Sequence, residues 1–80
     1  MRAHVYVILK REVLDPQGKA AANALHALGF DEVRDVRVGK YIEIELGGES
    51  MAAEGRLRDM CEKLLANPVI ESYRFEIQEG

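Results

Sequence analysis

Shifted by 37 positions, the second half of this chain falls into register with the first. Val5, Val7 and Leu9 lie over Ile42, Ile44 and Leu46, Gly18 over Gly55, Leu28 over Leu65, and Val36-Arg37-Val38 over Tyr73-Arg74-Phe75. Each half reads strand, helix, strand. One such unit cannot bury its own apolar face, so two of them are expected to share a sheet. The chain reads as one domain, 1–80, with halves at about 1–39 and 40–80.

The strands alternate with a period of two, which is the mark of a sheet covered on one side only. Val5, Val7 and Leu9 oppose His4, Tyr6 and Ile8; Ile42, Ile44 and Leu46 oppose Tyr41, Glu43 and Glu45; Tyr73, Phe75 and Ile77 oppose Ser72, Arg74 and Glu76. Val36 to Val38 supplies a further strand, joined to the next by a type II′ hairpin turn at Val38-Gly39-Lys40-Tyr41. Pro16 to about Leu28 reads as a helix with Ala21, Ala24, Leu25 and Leu28 on its apolar face, and Gly29 stops it. A second helix starts near Ser50, carries Ala53, Leu57, Cys61, Leu64 and Leu65 at helical spacing, and ends at Asn67-Pro68. The expected fold is α+β: a ferredoxin-like βαββαβ plait, with a four-stranded antiparallel sheet and two helices on one face.

Eighty residues bury only about 60–65% of the unfolded surface, so the core is marginal and oligomerisation is expected. A single cysteine excludes an internal disulfide and a cysteine-rich metal site, as suits a reducing cytosol. No apolar run approaches membrane-spanning length and no signal-peptide pattern is present, so the expected location is the cytoplasm. Eleven Lys and Arg against 14 Asp and Glu leave a formal charge of −3 and no electrostatic footprint for nucleic acid or membrane.

No constellation for catalysis emerges. Cys61 lies on an apolar helix face as a core thiol, and His4 and His26 have no partners at metal-ligand spacing. His26 reads as a solvated helix residue, and His4 as an outer-face residue that bears on packing between subunits. Leu14-Asp15-Pro16-Gln17-Gly18 is built to start a helix: Asp15 caps it and Pro16 takes the first helical position. The acidic cap opposes phosphate binding there. Gly18 costs roughly 0.5–1 kcal/mol in a first turn, which points to a close approach to its backbone. The outer sheet face mixes Tyr6, Ile8 and Tyr41 with Glu43, Glu45, Arg37 and Arg74; two carboxylates on one strand oppose RNA binding and favour contact with a second copy of the chain.

Val5-Tyr6-Val7, Leu9-Lys10, Val13 to Gly18, Val36-Arg37-Val38-Gly39-Lys40 and Cys61 to Glu71 together resemble the PurS family over essentially the whole chain. Its members are the small accessory subunit of phosphoribosylformylglycinamidine synthase in purine biosynthesis. The resemblance implies a subunit with no catalytic, cofactor or metal residues of its own, which joins a glutaminase subunit to a large synthetase subunit. The glutaminase releases ammonia, and the synthetase uses ATP and magnesium. It further implies docking through Leu14, Asp15, Pro16, Gln17, Gly18, Arg37, Gly39 and Lys40; the outer sheet face, for its part, leads to an expectation of self-association through Tyr6, Ile8 and Tyr41, as a homodimer or a dimer of dimers. A bulky residue at Gly18 is then expected to spare the isolated fold and weaken assembly. The alternative reading is an ACT-like regulatory module that binds a small molecule; an acylphosphatase-like enzyme lacks its Gly-rich loop after the first strand.

Overall fold

A computed structural model of the chain describes residues 1–48 and 50–79, with Ser50 described by its backbone alone. Strand β1 (Arg2–Leu9) leads to helix α1 (Pro16–Ala27), strand β2 (Gly39–Glu45), helix α2 (Ser50–Met60), a π-helical turn (Cys61–Leu65) and strand β3 (Glu71–Gln78). The described sheet is three-stranded in the order β2-β1-β3, antiparallel throughout. Val5 stands opposite Ile42 on one side and Phe75 on the other, so the three alternations share a phase. Valine, isoleucine and aromatic side chains suit such a half-buried pleat.

The inner face is covered by α2. Ala3, Val5 and Val7 of β1 meet Leu57, Cys61 and Ala66 in the core, while Ile42, Ile44, Tyr73, Phe75 and Ile77 pack around its edges. Leu57 and Cys61 are fully buried. Burial raises the Cys61 thiol above its usual pKa, and neighbouring Glu62 adds to the rise, as expected for a core thiol.

Four expectations are corrected. Val36, Arg37 and Val38 form no strand, because their polar groups are engaged with the α1 start: the Val38 amide donates to Asp15, and Arg37 donates to the carbonyls of Leu9, Lys10 and Val13. The four-stranded plait is thereby reduced to three strands. Gly39 and Lys40 make no hairpin turn, since they open β2 and stand opposite Ile8 and Val7. The two helices do not share the sheet. Among the described residues of α1 only Gly18 is buried, Ala24 is exposed, and Leu28 just beyond the helix is 74% exposed.

The fourth correction lies at the end of α2. The Ala66 amide donates to Cys61, five residues back, so one extra residue enters the turn. That slip rotates Leu64 outward, to 84% exposure, and brings Ala66 into the core in its place. By contrast, α1 stops as its sequence predicts: Gly29 takes a φ of 98°, its amide donates to His26, and the Phe30 amide donates to Leu25.

Candidate functional site

Two surfaces hold the candidate residues. The first is the corner where β1, the start of α1 and the 36–38 segment meet. Asp15 is only 6% exposed, and one carboxylate oxygen accepts from the Gly18 amide at 2.9 Å while the other accepts from Val38 at 2.8 Å. Those two bonds, led by the one from Gly18, hold its pKa below the usual aspartate value. The first-turn amide is thus taken by the chain's own carboxylate, which leaves no anion cradle.

Gly18 has its explanation here. A Cβ at this position would lie 2.1 Å from the Val36 carbonyl oxygen. The close approach inferred from the sequence is therefore intramolecular. The expectation that a bulky Gly18 variant spares the isolated fold is overturned, because the added carbon meets rigid backbone. Gly39 is similar, with a Cβ position 2.4 Å from the Val7 carbonyl oxygen.

Arg37 is a clamp within the same corner. Its Nη2 donates to the carbonyls of Lys10 (2.7 Å), Leu9 (3.2 Å) and Val13 (3.3 Å), which holds the turn after β1. Of the eight docking candidates, Asp15, Gly18 and Arg37 thus face inward as scaffold. Leu14, Pro16, Gln17, Gly39 and Lys40 are exposed, Leu14 at 75%. Beside them a crevice of about 530 Å³ runs between α1 and residues 34–37, with Lys19, His26 and Arg34 on its walls. His26 is exposed, as expected of a solvated helix residue, and its Nε2 also hydrogen-bonds the Val33 carbonyl at 2.6 Å.

The second surface is the outer face of the sheet, which no described element covers. The register brings Tyr6 opposite Tyr41, with ring centroids 5.2 Å apart, and sets Ile8 next along the central strand. The Arg74 guanidinium lies 4.0 Å from the Tyr6 ring centre, a cation–π distance. His4 stacks on Tyr41 and hydrogen-bonds its hydroxyl, which itself donates to Glu43 at 3.0 Å. Desolvation, and then the Glu43 carboxylate, raise the pKa of the Tyr41 phenol. The three self-association candidates therefore sit together, around a groove of about 460 Å³. Arg37, placed on this face by its expected strand, is not there.

Among the described residues, no group of three His, Cys, Asp or Glu stands close enough to hold a metal ion, and no helix is long and apolar enough to cross a membrane. A family model described as PurS, phosphoribosylformylglycinamidine (FGAM) synthase, matches residues 2–79. The chain belongs to the PurS family. The PurS subunit of Bacillus subtilis is 50% identical over 78 residues, which are 98% of this chain and 93% of the relative. That of Synechocystis is 51% identical over 91% of this chain and 74% of its own length. Among solved structures, B. subtilis PurS superposes with a TM-score of 0.89 at 50% identity, covering 98% of each chain. A chain of the Thermotoga maritima PurLQS structure superposes with a TM-score of 0.73 at 27% identity, covering 94% of this chain and 93% of its own. The signal for the PurS motifs was in the sequence; which of them turn inward was not.

Proposed function

We propose that this chain is the non-catalytic small subunit of a glutamine-dependent phosphoribosylformylglycinamidine synthase. It joins the glutaminase subunit to the large synthetase subunit, so that ammonia passes between them without loss to water in purine biosynthesis. The observation that carries this reading is the match to the PurS family along nearly the whole chain. It is supported by the likeness to a chain of the T. maritima PurLQS structure. ATP and magnesium chemistry belongs to the synthetase subunit, and the residues described above have scaffold and contact roles. The exposed members of the corner, Leu14, Gln17 and Lys40, are the docking residues toward the larger subunits, and the chain self-associates as a homodimer or a dimer of dimers in the cytoplasm. The family match favours this reading over an ACT-like ligand-binding module.

Reconstitution tests it. Glutamine-dependent formation of the amidine product is expected only when this chain is added to the two larger subunits. Full activity without it, or tight calorimetric binding of an amino acid or nucleotide by the chain alone, overturns the reading.

A further inference from the structure

Leu14 is 75% exposed and lies outside any helix or strand. An exposed leucine is ordinary on a protein surface; the backbone on either side of this one is not. On the N-terminal side, the Val13 carbonyl accepts from Arg37 at 3.3 Å, together with the carbonyls of Lys10 at 2.7 Å and Leu9 at 3.2 Å. On the C-terminal side, the Asp15 carboxylate accepts from the Val38 amide at 2.8 Å, and Gly18 lies against the Val36 carbonyl. Three consecutive residues, Val36 to Val38, thus brace the chain on both flanks of Leu14.

The turn itself is lightly bonded. The Val13 amide donates to the Lys10 carbonyl at 2.9 Å, and the Lys10 amide donates to Ile70 at 2.9 Å. Among the described residues, Arg37 is the only side chain hydrogen-bonded to this turn, and no carboxylate forms an ion pair with it. Both Asp15 oxygens are already engaged with amides. The guanidinium, which stays charged at any working pH, is therefore left to the three carbonyls as a charge-assisted clamp. A side chain carried on an ordered backbone binds without the entropy loss of fixing a loose turn, a loss on the order of tenfold in affinity for each residue fixed.

We infer that Arg37 is a positioning residue for assembly: it fixes the turn that presents Leu14, so that Leu14 meets a larger subunit of the synthase already ordered. This rests on the reading of Leu14 as a docking residue, and it adds what makes that residue competent to dock. Arg37 acts through Leu14 and not by a contact of its own.

A double-mutant cycle in the reconstituted synthase tests it. Arg37→Met keeps the apolar stem and removes the donors; Leu14→Ala removes the anchor. The quantity read is the concentration of this chain that half-saturates glutamine-dependent activity. Each variant alone is expected to raise it about tenfold. In the Leu14→Ala background, Arg37→Met is expected to raise it less than about threefold further, because the side chain it positions is gone. A role confined to stability would cost the same factor in both backgrounds. In the free wild-type chain, 15N relaxation is expected to give residues 11–14 order parameters of about 0.85, like those of β1, and Arg37→Met to drop these residues below about 0.6. If Leu14→Ala leaves half-saturation unchanged, the docking reading of this corner fails and the inference with it. If Leu14→Ala weakens assembly while Arg37→Met has no effect or multiplies with it in full, the positioning role is overturned and the docking reading stands. If Arg37→Met does not fold by circular dichroism, the wild-type order parameters decide: a turn already loose in the wild type overturns the inference, and an ordered one supports it.

Discussion

Asp15 accepts one hydrogen bond from its own helix and one from a segment 23 residues away. Its carboxylate therefore has a stronger claim on its charge in the folded chain than in the unfolded one. With the folded pKa lowered, its contribution to stability is complete above the ordinary value of 3.8 and is lost as pH falls below it. Asp15→Asn is expected to lower the urea midpoint at pH 7 and to flatten its decline in acid. A decline as steep as the wild type's would assign acid unfolding to other groups. The two glycines that the repeat aligns have opposite environments. A Cβ at Gly18 meets the Val36 carbonyl, whereas a Cβ at Gly55 meets nothing within 4 Å. Gly18→Ala is expected to destabilise by about 2 kcal/mol through overpacking, and Gly55→Ala to stabilise by about 0.5–1 kcal/mol through helix propensity. Urea unfolding of both variants checks the pair.

At the scale of elements, the end of α2 shows how one residue redirects a helix. Leu57, Cys61 and Leu64 read as neighbours on one apolar stripe, yet the π-helical turn keeps the first two in the core and turns Leu64 to solvent. Leu57→Ala is expected to cost about 3 kcal/mol, and Leu64→Ala less than about 0.5 kcal/mol, as a surface substitution does. Equal losses in urea unfolding would mean that Leu64 is covered after all. The strands were legible because a period of two assigns each side chain to a face with only short-range information. The 36–38 segment was not. Its apolar-basic-apolar pattern suits a strand, but its Val38 amide and Arg37 guanidinium bond to the corner that starts α1. A sequence pattern carries no signal for that competition, since the competing acceptors lie 23 to 28 residues away.

At the scale of the whole molecule, the two halves of the repeat have diverged in role. The second half supplies β2, α2 and β3, hence both edges of the sheet and the helix that covers it. The first half supplies the central strand and a helix that extends from the body; the long axis reaches 49 Å against a thickness of 14 Å. A twelve-residue helix in water gains little from propensity alone. For α1 the missing stability comes from its ends, where Asp15 caps the start and Gly29 closes the last turn. The small core fixes the sheet, and Gly39 and Lys40 at the start of β2 line the outer-face groove beside Tyr6, Ile8 and Tyr41.

The sequence by itself determined the α+β class, the alternating faces of His4 to Leu9, Tyr41 to Glu45 and Ser72 to Ile77, both caps of α1 and the PurS motifs. Each of these depends on neighbours a few residues apart along the chain. Tertiary structure alone decided that Val36 to Val38 would serve the helix corner instead of the sheet, that Gly18 would lie against a carbonyl, and that α1 would leave the core. Those outcomes turn on which polar groups of distant segments find each other, and burial makes a missed hydrogen bond costly enough to override a local preference.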